Sequence, residues 1–291
     1  MGREPISLNE AAEQLGVHYM TVYRYVRTGR LSASKDGVEW RVDPRDVEQL
    51  RRREPAPRRA RRSQAERARR LEARLVAADE TGAWTAIESA LASGTSPADV
   101  YIDLLVPALT SIGDRWATGE LDVADEHRAS AVALRLIGRL GPRFRRRGRH
   151  RGTVLLGSTP GEQHAIPTAI VADLLRGEGY DAIDLGADTP SRSFVHGARA
   201  AERLRLIALA VTVRGTERAA TQVIRALRRA DIDVPVAVGG AAIETERLAL
   251  DLGADVYSGR DGRTAARVLA AAAAGELPER SRRSSASQPG R

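Results

Sequence analysis

The sequence predicts a multidomain chain: a winged helix-turn-helix, a four-helix bundle, and a flavodoxin-like doubly wound α/β domain. Three observations carry this expectation. Basic charge gathers in the first quarter, where two short helical patterns flank a Gly-containing turn. The middle of the chain shows apolar residues at three- and four-residue spacing and no strand-like run. The carboxyl-terminal half alternates short apolar runs with helical stretches, as a parallel sheet covered on both faces requires.

The chain has 291 residues, enough for two or three domains. It contains no Cys, which excludes disulfides, thiolate metal sites and cysteine nucleophiles. No apolar run approaches the roughly 20 residues that span a membrane, and the amino terminus lacks a signal-peptide pattern, so a cytoplasmic protein is expected. Formal net charge is +8. Residues 1–74 hold 18 Lys/Arg and 11 Asp/Glu, a net of +7. A polyanionic partner for that end follows, with double-stranded DNA the first candidate.

In residues 1–50, Ser7 and Glu10 read as the capping box of a first helix with Ala11, Ala12 and Leu15 on its apolar face. Gly16 ends that helix. Residues 17–21 turn into a second helix carrying Thr21, Tyr23, Arg24, Tyr25 and Arg27, and residues 29–31 close it. A hairpin follows around Asp36-Gly37, then a third helix from Asp43. Tyr25 and Trp40 read as packing residues. This pattern resembles the winged helix-turn-helix of MerR-type regulators and related excisionase modules. The resemblance implies that Tyr19, Thr21, Tyr23 and Arg24 face the DNA groove, while Lys35 and Arg41 on the wing meet phosphate.

Residues 51–64 form a Pro/Arg linker whose prolines favour extended structure. Residues 65–148 are helical, with helices expected near 65–79 and 83–93. A third begins at Ser96-Pro97, with Val100, Leu104, Leu105, Ala108, Ile112 and Trp116 along one stripe. A fourth runs from Val123 through Ala131, Leu134 and Ile137. Trp116 ends the third helix and Glu126-His127 opens the fourth, so all three lie near one end of the bundle.

Residues 149–274 form the α/β domain, with strands expected at 153–158, 182–185, 206–212, 234–238 and 254–257. Residues 275–291 are rich in Ser, Arg, Pro and Gly, a composition that predicts disorder. The first strand ends at Ser158 and runs into Gly161-Glu162-Gln163-His164, at the carboxyl edge where open α/β sheets bind ligands. A His there can coordinate a metal through one nitrogen while a carboxylate orients its ring. Thr212 closes the third strand, and Gly239-Gly240 follows the fourth.

Glu162-x-His164 after a strand and a Gly-rich turn resembles the Asp/Glu-x-His-x-x-Gly signature of cobalamin-binding domains, with Pro167 in place of the last Gly. The resemblance implies His164 as the lower axial ligand of cobalt. It puts Gly239-Gly240 at the cofactor's buried nucleotide tail and makes Thr212 a candidate hydroxyl where the family's Ser-x-Leu is not clean. Trp116, nine residues and Glu126-His127 resemble the motif of cobalamin-dependent, light-responsive MerR-type transcription regulators, whose domain order also agrees. In that resemblance Trp116 covers the adenosyl group of adenosylcobalamin, Glu126 accepts hydrogen bonds from it, and His127 supports the site or a subunit contact. A dark oligomer, typically a tetramer, would then repress carotenoid or other light-protection genes and release promoter DNA when light breaks the Co–C bond. Ala117 replaces the His that some relatives use to capture cobalt's upper face, leaving His127 and His150 as conceivable substitutes.

Two other functions fit the same residues: a light-independent cobalamin-sensing regulator, and a corrinoid carrier subunit of a methyltransferase. A protein that has lost its cofactor is a further reading, favoured by Pro167. No stretch remains to house a substrate barrel, and no catalytic role is expected.

Overall fold

A computed structural model describes residues 5–276, apart from 16–18, 28, 37–38, 54–56 and 147. The chain divides into two compact units, Met1–Arg67 and Ala68–Arg291.

In the first unit, strand β1 (Ile6–Ser7) leads into helices α1 (Leu8–Leu15) and α2 (Tyr19–Arg27). Strands β2 (Ala33–Asp36) and β3 (Glu39–Val42) form a hairpin, and helix α3 (Pro44–Arg53) follows. The three strands are antiparallel in the order β1-β3-β2. The expected capping box is present: Ser7 N–H donates to Glu10 Oε2 at 2.8 Å, and Glu10 N–H donates to Ser7 Oγ at 3.2 Å. Leu8, Ala11, Val22, Tyr25, Leu31, Val42 and Val47 make the core, and Trp40 packs against it. Asp36 pairs with Glu39 in the hairpin, and the expected turn at Asp36-Gly37 falls partly on residues 37–38. Those two residues and Gly16 lie outside the described residues.

Helix α4 (Pro57–Val76) corrects the expected extended linker. Pro57 is its first residue, where proline's missing N–H would have had no helical partner anyway. Helix α5 (Glu80–Ala92) follows. A single helical run then comprises α6 (Pro97–Val100), a π turn (Tyr101–Leu105) and α7 (Val106–Ala117). The π turn precedes Pro107, which cannot donate into an α-helical ladder. Helix α8 (Val123–Leu140) starts from an Asp122/Asp125 capping box. Side chains from all four helical stretches share one core, from Leu71 and Ile87 to Leu105, Ile112 and Leu136.

Two expected faces shift. Trp116 does not join the stripe; it is 47% exposed at the end of α7. On α8 the buried face runs through Ala129, Val132, Ala133, Leu136, Ile137 and Leu140, while Ala131 and Leu134 face outward. Leu134 and Ile137 are neighbours three residues apart; Ile137 lies at the edge of the buried face and Leu134 just beyond it.

The sheet follows: β4 (Thr153–Ser158), α9 (Ile166–Gly177), β5 (Asp181–Asp184), α10 (Ser191–Ala200), β6 (Leu204–Ala210) and α11 (Arg218–Arg229). It ends with β7 (Val236–Gly239), α12 (Glu246–Asp251), β8 (Val256–Tyr257) and α13 (Gly262–Ala274). Its five parallel strands lie in the order β5-β4-β6-β7-β8. The chain therefore reverses direction across the sheet between β4 and β6, which opens a crevice at their carboxyl ends. Helices α9 and α13 cover one face, α10, α11 and α12 the other. Ile170 and Leu174 of α9 also enter the helical core, which joins helices and sheet into one unit. Tyr101 pins that junction: its ring stacks on Phe144 and its buried hydroxyl donates to Asp173 Oδ2 at 2.6 Å. Of the expected disordered tail, residues 277–291 lie outside the described residues.

Candidate functional site: a histidine at the switch point

The crevice between β4 and β6 is bridged by a single buried carboxylate. Glu162, fully buried in the turn after β4, reaches across to the segment after β6. Its Oε2 accepts from Thr212 N–H at 2.6 Å, Thr212 Oγ1–H at 2.7 Å and Val213 N–H at 2.8 Å. Its Oε1 lies 2.5 Å from His164 Nδ1 and accepts His164 N–H at 3.1 Å. Burial alone would push the Glu162 carboxyl up; the bonds from His164, Thr212 and Val213 outweigh it and hold the pKa at about 2. The reciprocal bond from Glu162 raises the His164 pKa, against burial and with help from the charge of Glu126. Nδ1 is thus committed to the carboxylate. Nε2 lies on a ring that is 54% exposed and is the nitrogen open to a ligand.

Local structure explains the placement. Gly161 adopts φ +85°, and its N–H donates to Asp188 Oδ1 at 2.7 Å. Ser158 Oγ donates to the His164 carbonyl at 2.7 Å, closing the turn on itself. Pro167 sits in the first turn of α9, where it blocks no helical hydrogen bond.

Gly239 and Gly240 lie tightly against neighbouring protein atoms. A Cβ on Gly239 would stand 2.1 Å from Ser258 Oγ, and one on Gly240, at φ +115°, 2.3 Å from the Val211 carbonyl oxygen. Gly240→Ala is therefore expected to destabilise the fold by more than about 1 kcal/mol, read as a lower chemical-denaturation midpoint. An unchanged midpoint would refute that account.

The helical part contributes Glu126, whose charge reaches His164. Ser130 Oγ fixes Glu126 with a 2.6 Å hydrogen bond. Trp116 stands exposed one helix end away. His127 is mostly exposed, 3.7 Å from Glu126, and joins no contact with His164 among the described residues. His150 precedes β4, at the opposite end of the strand from His164, and its Nδ1 lies 3.3 Å from the Gly152 carbonyl. A six-residue strand spans about 20 Å, so His150 cannot substitute at this site. Asp188, which orders the Gly161 turn, escaped sequence reading because it comes from the loop after β5 with no spacing that links it to Glu162.

In the first unit, Tyr19, Arg24 and Lys35 are exposed, and Thr21, Tyr23 and Arg41 are half-buried. Tyr23 stacks on Tyr19 with ring centroids 6.4 Å apart and also packs against the core. Lys35 Nζ lies 5.5 Å from the Trp40 ring centroid.

No group of three or more His, Cys, Asp or Glu that could hold a bare metal ion occurs among the described residues. One available imidazole nitrogen with a carboxylate behind it instead suits a metal that arrives already chelated, as cobalt does in a corrin ring.

Comparison with known proteins agrees. A family described as a B12 binding domain matches residues 67–140, and a second of the same description matches 152–270. A helix-turn-helix domain matches residues 6–55. Trimethylamine corrinoid protein 1 of Methanosarcina mazei is 29% identical over 184 residues, covering 62% of this chain and 84% of the relative. Trimethylamine corrinoid protein 2 of the same organism is 27% identical over 198 residues, covering 66% and 90%. The solved structure of the Methanosarcina barkeri monomethylamine corrinoid protein has a TM-score of 0.62 at 20% identity, over 71% of this chain and 98% of that one, a likeness of fold. The chain is accordingly a cobalamin-binding protein that carries an amino-terminal helix-turn-helix motif.

Proposed function

We propose that this protein is a transcriptional repressor whose hold on promoter DNA depends on adenosylcobalamin and, through it, on light. The observation that carries the reading is the union in one chain of a helix-turn-helix domain with two B12 binding domains. Such a chain gives cofactor-binding energy a DNA-binding output. When bound, adenosylcobalamin supplies a cobalt–carbon bond that visible light breaks. The protein's part is to hold and to sense. His164 would hold the cobalt through Nε2, and Glu162 fixes the ring through Nδ1. Trp116 and Glu126 of the four-helix part would meet the adenosyl group, Trp116 as an exposed aromatic plate and Glu126 as an acceptor. His127 supports the cap or a subunit contact. Tyr19, Thr21, Tyr23 and Arg24 meet the DNA groove, and Lys35 and Arg41 its phosphates.

The cap has only a differential interest in the intact cofactor, so losing the adenosyl group shifts the population toward a state that no longer assembles. A dark tetramer engages DNA through several heads, and its dissociation removes that avidity. No helix among the described residues is long and apolar enough to cross a membrane. We place the protein in the cytoplasm, without catalytic activity of its own.

The test measures retention of a duplex, selected from random sequence by the dark, cofactor-loaded protein, in darkness and under green light. Retention is expected to fall at least about tenfold on illumination with adenosylcobalamin, and Trp116→Ala is expected to weaken retention in darkness and so to narrow that difference. Equal retention in dark and light sinks the light reading. Equal retention with and without cofactor favours a second reading, a corrinoid carrier for methyl transfer, which the relatives in Methanosarcina support.

A further inference from the structure

The connector from α8 to β4 carries its own charge feature. Residues 143–151 comprise six arginines, Phe144, Gly148 and His150, with no carboxylate. Arg145, Arg146, Gly148, Arg149, His150 and Arg151 line one wall of a cavity of about 780 Å³, and α9 with the approach to β5 lines the other. The inner charges of that cavity are already matched. Asp173 accepts from Tyr101 Oη at 2.6 Å and from Arg176 Nη1 at 2.7 Å, and Arg176 Nη2 donates to the Ala182 carbonyl at 2.7 Å. Asp184 accepts from Gly186 N–H at 2.9 Å, and burial raises its pKa.

The outer charges are not matched. Arg145, Arg146 and Arg149 line the cavity and make no ion pair or side-chain hydrogen bond among the described residues. Arg151 is held by its guanidinium, 4.9 Å from the Tyr180 ring centroid. Arg146 and Arg151 converge on Gly179, whose added Cβ would lie 3.8 and 3.6 Å from their stems. Glu178 and Asp181 are the carboxylates left at the rim, fewer than the arginines facing them. A merely solvated charge run would line no concavity. This one frames a volume within the range of small-ligand sites, roughly 300–1,000 Å³. Guanidinium forks match phosphate oxygens in pairs, and a multiply charged anion relieves the repulsion of several arginines at once.

We propose that this cavity binds a small phosphate polyanion of the di- or triphosphate class, held by Arg145, Arg146, Arg149 and Arg151 beside α9. The site is separate from His164, and its occupant would touch both the helical part and the sheet.

Titrating inorganic tripolyphosphate into the full chain by calorimetry tests this, with ATP as a second arm to show whether a nucleoside is read as well. One site per chain is expected, weakened about 10- to 100-fold by Arg146→Ala/Arg149→Ala, as loss of charge-assisted bonds dictates. Lys35→Ala, in the helix-turn-helix, is expected to leave that binding unchanged. A melting midpoint equal to wild type confirms that the double variant folds. Several weak sites per chain, or equal affinity in the double variant, overturns the proposal. So does a double variant that loses affinity for duplex DNA alone, which would make the arginines a DNA contact.

Discussion

His164→Ala is expected to abolish nitrogen ligation of cobalt and to lower cobalamin affinity on the order of 100-fold. Loss of partners behind a metal-bound histidine already weakens binding 10- to 100-fold, and loss of the ligand itself stands at or beyond the top of that range. No neighbour can take over. Thr212 offers a hydroxyl, His127 makes no contact with the cluster among the described residues, and His150 lies at the far end of β4. The check is a dark absorption spectrum of the variant loaded with adenosylcobalamin. A spectrum identical to wild type would remove His164 from the ligand role. The variant also removes one hydrogen bond to the buried Glu162 carboxylate, so a melting curve that shows it folded at the assay temperature separates loss of a ligand from loss of the fold.

Glu162→Ala should act the other way, on stability first. Five donors converge on this buried carboxylate, from His164, Thr212 and Val213. Deleting it leaves the N–H and O–H groups of Thr212, Val213 and His164 without their acceptor, each worth about 1–3 kcal/mol when unpaired away from water. A total loss of about 3–5 kcal/mol is expected, which lowers the melting midpoint by roughly 10 °C in a unit of this size. Glu162→Gln should fall between, since its amide keeps one acceptor and turns an NH₂ toward groups that donate. The pH dependence has a definite sign. The carboxyl titrates at about 2 in the fold against an ordinary 4.5, so its contribution is complete above 4.5. As pH falls from 4.5 toward 2 the contribution is lost, and the gap between wild type and Glu162→Gln should close. A gap that stays constant across that window would show the carboxylate to be replaceable. Cofactor binding by Glu162→Gln should weaken as well, because His164 then loses the group that orients its ring.

Much of the architecture was legible from local pattern. The five strands and their helices lie within a few residues of expectation, because parallel strands buried on both faces must be apolar runs. The capping box at Ser7 and Glu10 formed as read, since it needs only residues three apart. Local reading failed where one position could serve two ends. Trp116 continues the apolar spacing of α7 yet lies outside the core, because the helix ends beyond the neighbours that would cover it. On α8, Leu134 and Ile137 are both apolar at helical spacing, and only the packing of the shared helical core decides that Ile137 is buried. Pro57 reads as a breaker but starts a helix, for a proline at the first position loses nothing.

From residue order alone came the domain sequence, the strand that ends at Ser158, and the Glu162-x-His164 pair at its edge. Residue order could not say what the carboxylate does. Its partners Thr212 and Val213 lie 50 and 51 positions away, after a different strand, and Asp188 reaches the same turn from a third loop. Only closing β6 beside β4 brings those backbone donors to one buried acceptor. The same closure shows that Gly239 and Gly240 make room for Ser258 and the Val211 carbonyl. Periodicity records which face is apolar over a few turns, whereas the pairing of polar groups across a sheet's switch point depends on strand order and register.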